Sequence, residues 1–320
     1  LITDAGGSVS ARVIRRGLLT TSAAIVAATL ALSGCAKSNK TENTNTPSPG
    51  ETTSGEPTTP AANTAADLVP AEIKAKGTLN FATDASYAPN EFIDADGKTI
   101  IGMDVDLGNA IAERLGLKTS WVNVDFDSII IGLAGGKYDI GMSSFTDTKE
   151  REQTVDFVTY LTAGTSLLVA KGNPSGLAGP DDMCGHKIAV EKGTTQEADI
   201  AAKSKECTDA GKAKVTAVAL PDQNAASLAV QSGRADATLA DSPVAEYEAA
   251  LPDAKFEVAG KSYDDAPYGI AIPKSSGALK DAILAALKEL IADGTYGKIL
   301  AKWNVGDGAI STPVINGALD

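Results

Sequence analysis

The segments TLNFA (78–82), DVDLGNAIAERLG (104–116), TSWVNV (119–124), DSIIIGLAGG (127–136) and YDIGM (138–142) decide the fold. The first, third and fifth are short apolar runs bounded by polar residues and read as strands. In the second, Asp104 stands as a helix N-cap, Leu107, Ile111 and Leu115 fall on one face, and Gly116 is the stop. In the fourth, Asp127 caps a shorter helix through Ile130 and Leu133, which Gly135 and Gly136 end. Strands that alternate with helices through short loops predict a parallel sheet covered on both faces.

The same alternation resumes after residue 165. Strands are expected over 187–190, 215–220 and 237–240, and helices from about Gln196, over 225–231 and over 243–250. The clearest helix covers 279–292, with Ile283, Leu287, Leu290 and Ile291 on its apolar face and Gly294 as its stop. Ile299, Leu300 and Trp303 mark one more. Segments 160–171 and 268–273 are extended and carry no helical period. They read as two hinge crossings between two Rossmann-like α/β lobes, the chain returning to the first lobe to finish. The expected limits are 68–163 with 265–308 for the first lobe, 164–264 for the second, and 309–320 for a tail.

Composition excludes several functions. Of 320 residues, 41 are acidic and 28 basic, a formal charge of −13. The first 34 residues hold three arginines against one aspartate, so the remainder is near −15. Such a chain lacks the basic surface that nucleic acid requires. A single histidine, His186, cannot furnish a His-rich metal site or, beside a serine and an acid, a convincing triad. No metal or cofactor is expected, and nothing resembles a nucleotide-binding loop. Cys184 and Cys207 read as a disulfide if the chain is exported, and otherwise as two buried thiols.

The amino-terminal region is of a different kind. Arg12, Arg15 and Arg16 precede an apolar run over 17–32, too short and too rich in small residues for a membrane span. The run closes on Leu32-Ser33-Gly34-Cys35, which resembles the lipobox of bacterial lipoproteins. That resemblance implies a signal peptide over 1–34 and a lipid on Cys35, anchoring the protein to the outer face of the cytoplasmic membrane. Arg15 and Arg16 also faintly resemble a twin-arginine export signal. Residues 35–67, dominated by Thr, Ser, Pro, Asn, Gly, Glu and Ala, cannot offset their ordering entropy by burial and read as a disordered tether.

From Gly77 to Val305 the chain resembles the substrate-binding proteins of polar amino-acid ABC importers, a type II periplasmic-binding-protein-like fold. The ordered matches are Thr83-Asp84-Ala85-Ser86-Tyr87-Ala88-Pro89 with Glu91-Phe92, Gly102-Met103-Asp104-Val105-Asp106-Leu107, Phe126-Asp127, and Gly136-Lys137-Tyr138-Asp139. Ser143-Ser144-Phe145-Thr146, Arg151 and Val155-Asp156-Phe157 follow. Gly193-Thr194-Thr195-Gln196, Asp241-Ser242-Pro243, Tyr296-Gly297-Lys298-Ile299 and Lys302-Trp303 complete the series.

The resemblance implies a binding protein, not an enzyme, that closes on a free amino acid and delivers it to ABC permease subunits, acting as a monomer on its lipid anchor. The residue chemistry suits a zwitterion. Arg151 offers a planar fork to a carboxylate. Asp241 accepts from an ammonium. Ser143, Ser144 and Thr146 supply carbonyl and hydroxyl contacts, and Thr194 and Thr195 open a helix whose N–H groups suit an anion. Tyr87 and Phe126 are expected to sandwich the ligand side chain, and Asp84 to face a cationic one. The plainer readings are a surface arginine, a helix cap at Asp241 and core aromatics. Asn90 and Asp147 depart from the family's usual Phe and Ile, which makes their neighbourhood more polar and favours a polar or basic ligand. Two alternatives stand beside transport: a ligand-sensing subunit for a membrane receptor, and a cyclohexadienyl-dehydratase-like enzyme with Asp84, Glu91 or Asp147 as its acid or base.

Overall fold

The computed structural model describes residues 64–319. The first part of the chain gives α1 (Ala71–Lys76), β1 (Thr78–Thr83), β2 (Ser86–Tyr87), β3 (Glu91–Ile93), β4 (Ile100–Ile101), α2 (Met103–Arg114), β5 (Lys118–Asn123), α3 (Phe126–Ala134) and β6 (Ile140–Gly141). Next come β7 (Val155–Ala170), β8 (Lys187–Glu191), α4 (Thr195–Asp209), β9 (Thr216–Leu220), α5 (Gln223–Gln231), β10 (Ala237–Asp241) and α6 (Ser242–Ala250). The last elements are β11 (Phe256–Pro273), α7 (Leu279–Ala292) and α8 (Thr295–Lys302).

Eight strands form one sheet in the order β5-β1-β6-β11-β7-β10-β8-β9. At one end β1 runs parallel to β5 and β6; at the other β8 runs parallel to β9 and β10. The parallel sheet expected over 78–142 is found in β5, β1 and β6, and the antiparallel β7 and β11 make the whole sheet mixed. The long strands β7 and β11 pair antiparallel through both lobes. Their register is irregular between Ala259 and Tyr263 and between Tyr263 and Ala266, which is where the chain passes between lobes. Residues 268–273, read as a crossing, instead pair with β7 inside the first lobe.

Both faces of the sheet are covered, so its strands are apolar on both sides. In β8, Ile188 and Val190 join one buried cluster while Ala189 joins the cluster on the opposite face, as a pleat of period two dictates. The α7 helix lays Ala282, Ile283, Ala286, Leu287 and Leu290 on the first lobe's core.

Two helix starts differ from expectation. Gly102 precedes α2, and Asp104 lies inside the first turn, fully buried. Gly102 sits at φ 139°, where a Cβ would overlap the Asn90 carbonyl. Asp125, not Asp127, precedes α3. Order also begins before the expected end of the tether. Ala65–Leu68 forms a 3-10 turn with a Thr64–Asp67 capping box, and the buried Ala65 donates its N–H to Glu289. Cys35 and the signal and tether segments before Thr64 lie outside the described residues. Among the described residues no helix is long and apolar enough to cross a membrane.

The tail is not a loose end. Val314 and Ile315 pair with Thr159 and Val158 on β7. Gly317 donates its N–H to Asp147 at 2.7 Å and Ala318 to Glu152 at 3.2 Å. Asp147 thus serves the tail, which accounts for a carboxylate there.

Cys184 and Cys207 form a disulfide that ties the loop before β8 to α4. Their sequence separation of 23 corresponds to roughly 3 kcal/mol in the chain-entropy account. Cys184→Ser is expected to lower the unfolding free energy by roughly 3 kcal/mol, read as the fall in denaturant midpoint multiplied by the denaturant slope. Equal midpoints with and without the bond, at an unchanged denaturant slope, would contradict it.

Candidate functional site

The carboxyl ends of β1, β6, β8 and β10 meet where the two lobes face each other. Asp84 follows β1, residues 143–146 follow β6, Gly193 to Thr195 follow β8, and Asp241 ends β10. Open α/β sheets bind ligands at such ends. One narrow crevice there, of about 10 Å³, is lined by Tyr87, Phe126, Ser144, Thr146, Arg151, Thr194, Thr195, Gln196 and Asp241. Eight of the ten residues expected from the sequence are brought together, and Gln196 joins them.

Arg151 stands on the first lobe. Its Nη1 donates to the Thr146 carbonyl at 2.8 Å, and its Nη2 reaches the Gly193 carbonyl of the second lobe at 2.9 Å. The guanidinium lies 5.4 Å from the ring centres of both Phe126 and Phe145, a cation–π seat. Two of its five N–H donors are thus held by carbonyls. Burial lowers its pKa, and Asp241 opposes that shift. It is not a surface arginine.

Asp241 comes from the second lobe. It precedes α6 in the N-cap position but makes no side-chain cap bond. Its Oδ1 accepts instead from Gln196 Nε2 at 2.7 Å. Burial raises its pKa to about 6, against the pull of Tyr268, Gln196 and Arg151. The guanidinium and this carboxyl therefore line one crevice from opposite lobes.

The rings of Tyr87 and Phe126 are near parallel, 22° apart, with centres separated by 6.5 Å. That is close to twice the ~3.5 Å contact distance of carbon atoms and leaves room for one layer of atoms. The lobes approach closely here. Gly193 sits at φ 77°, and a Cβ on it would come within 2.9 Å of the Asp127 Cβ. Of the expected amide donors behind it, the Gly193 N–H is taken by Glu197, while Thr194 caps α4 through its hydroxyl.

Asp84 and Ser143 lie outside the crevice. Asp84 lines a separate open cavity of about 350 Å³ together with Ser86, Asn123, Asp125 and Asp222. Its Oδ2 accepts from the Phe126 N–H at 3.1 Å, which holds the start of α3. Ser143 is part of the wall behind: its hydroxyl accepts from the Asp84 N–H and donates to Glu91.

Behind Ser144 lies a network that the sequence reading missed. Asp104 Oδ2 accepts from the Ser144 N–H and the Tyr160 hydroxyl, and Glu91 accepts from the hydroxyls of Ser143 and Ser144. Ser144 itself is held at φ 49°, an uncommon backbone conformation for a non-glycine residue. Burial drives the pKa of Glu91 well up and that of Asp104 to about 6. A cap-like Asp in the sequence gives no sign of this role. Gln196 was within a quoted motif, and its amide at a helix start was the available signal. Phe145, which stacks on Phe126 with ring centres 4.5 Å apart, likewise lies within the matched stretch Ser143 to Thr146.

The buried acids make stability depend on pH with a definite sign. Asp84, Glu91, Asp104, Asp147, Glu191 and Asp241 all have raised pKa values, chiefly from burial. The folded state therefore holds more protons than the unfolded one. This stabilisation is complete below the unfolded pKa, near 4, and is lost as pH rises through about 6 for Asp104 and Asp241 and about 7 for Asp147. The Tm of the ligand-free protein is expected to fall between pH 5 and pH 8. A flat or rising Tm over that range contradicts it.

Comparison with known proteins bears on this geometry. The sequence model of the bacterial extracellular solute-binding proteins, family 3, matches residues 79–306. The chain is 36% identical over 250 residues to the arginine-binding protein ArgT of Corynebacterium glutamicum, covering 78% of this chain and 81% of that one. It is 36% identical over 236 residues to the lysine/arginine/ornithine-binding periplasmic protein of Escherichia coli, covering 71% and 87%. A solved ancestral arginine-binding protein bound to arginine superposes with a TM-score of 0.64 at 38% identity, covering 71% of this chain and 98% of that one. These relatives are named as binding proteins and not as enzymes, and the fold they share is the type II periplasmic-binding-protein fold. The family match spans the sheet, both crossings and every residue of the crevice: the chain belongs to the bacterial extracellular solute-binding proteins, family 3.

Proposed function

We propose that this protein captures a free basic amino acid between its two lobes and delivers it to the permease of an ABC importer. One observation carries the reading: a guanidinium (Arg151) and a carboxyl (Asp241) line one crevice from opposite lobes, a cation and an anion for a zwitterion's two ends. Arg151 takes the ligand carboxylate, Asp241 its ammonium, and the slot between Tyr87 and Phe126 the side chain. The chain neighbours of Tyr87 and Phe126, Ser86 and Asp125, line the acidic cavity with Asp84 and Asp222, which favours a cationic tip. Relatives named for arginine, lysine and ornithine support the same class. Closure about β7 and β11 needs only a ligand that binds the closed form better than the open one.

The lipid on Cys35, the tether and the position outside the cytoplasmic membrane belong to this proposal too. Calorimetric titration of the ligand-free protein tests its core: arginine, lysine and ornithine are expected to bind, and glutamate not to. A folded, ligand-free protein that gives no heat with any amino acid sinks the reading. Fatty-acid labelling that persists in Cys35→Ser sinks the anchor.

A further inference from the structure

We infer that Glu191 is a specificity-determining residue that releases a proton to solvent when a cationic ligand side chain enters between the lobes, so that cation capture is coupled to proton release. This rests on the capture reading above and names a group for which that reading has no use.

Glu191 ends β8, in the same layer as Asp241 at the end of β10. It is fully buried, and no basic side chain or backbone N–H among the described residues meets its carboxyl, whose polar neighbours are the Asp84 carboxyl and the Tyr87 phenol. The groups facing it are Asp84 from the end of β1, the Tyr87 phenol on β2, and Asp222 at the start of α5. Of these neighbours Asp84 lines the acidic cavity and Tyr87 lines the crevice, while Glu191 lines neither and is buried behind them. Its backbone is fixed, because the Thr194 hydroxyl donates to its carbonyl at 2.8 Å.

A carboxylate so placed is costly without a partner. Burial and the neighbouring acids push it up to about 10, so it holds its proton at neutral pH. Buried acids on two lobes, converging without a cation, suit a guanidinium or ammonium brought in by the ligand. Such a cation favours the ionised form. The O–H bond of Glu191 then breaks, the electron pair stays on the carboxylate, and the proton passes to buffer. An uncharged ligand side chain provides no such drive.

The test is calorimetry at pH 8, where Asp241 is already ionised, in phosphate and in Tris, with L-arginine and L-glutamine. The dependence of the binding heat on buffer gives the protons exchanged. Arginine is expected to release close to one proton and glutamine none. Glu191→Gln is expected to abolish the release and to weaken arginine tenfold or more. Arginine binding whose heat is independent of buffer in the wild type overturns the inference while leaving capture intact. Release that persists in Glu191→Gln overturns it as well and moves the proton to another acid. Absence of binding by any amino acid overturns both proposals. The wild-type measurement stands even if the variant fails to fold.

Discussion

Replacing Arg151 with alanine is expected to weaken amino-acid binding by about two to four orders of magnitude. Two charge-assisted hydrogen bonds to a carboxylate contribute about 1.5–3 kcal/mol each, and tenfold in affinity is about 1.4 kcal/mol. The loss has a second source. Arg151 bridges the lobes through the Gly193 carbonyl, so the variant also loses a bond of the closed form. Arg151→Lys keeps the charge but gives up the fork and the flat seat between Phe126 and Phe145, and is expected to fall between the two. Titration calorimetry measures both. A loss under threefold in the alanine variant, with an unchanged Tm, would remove Arg151 from the ligand carboxylate site.

The second large effect is expected at Asp241. Asp241→Asn keeps the shape and removes the anionic acceptor for an ammonium. It also sets an amide against the Gln196 amide. The loss of one charged hydrogen bond, with some repulsion, corresponds to a ten- to hundredfold weakening. The pH dependence follows from the same group. Burial puts its pKa at about 6, so below that pH the carboxyl must lose a proton before it can accept from the ammonium. With an uncharged ligand side chain, affinity is expected to decline about tenfold per pH unit below 6. The asparagine variant is expected to lack this slope. A wild-type affinity that is level from pH 4.5 to 8 would remove Asp241 from the ammonium site.

Much of this molecule was legible in short windows. The α7 helix was read over the observed residues because its apolar side chains recur every three to four positions, and a helix imposes that spacing. The family resemblance singled out Asp241, Thr194 and Thr195, and their place at strand ends supported it for a similar reason: a polar residue that closes an apolar run marks where the strand leaves the core. Other features had no local signature. Asp104 looks like a helix cap in one dimension and is a buried acceptor for Ser144 and Tyr160 in three. Residues 268–273 look like a crossing because they are extended, yet their partner strand places them within a lobe.

Periodicity and caps, set by contacts between near neighbours in the chain, already determined the strand and helix alternation and the two lobes, while Arg151 and Asp241 came from the family resemblance, which their chemistry suits. Only the tertiary structure decided that two antiparallel strands join the lobes into one sheet, that Asp84 and Ser143 stand behind the crevice, and that Glu191 meets Asp84 across the cleft. Those outcomes depend on pairings between residues far apart in sequence, and no short window of the chain encodes which strand ends will face one another.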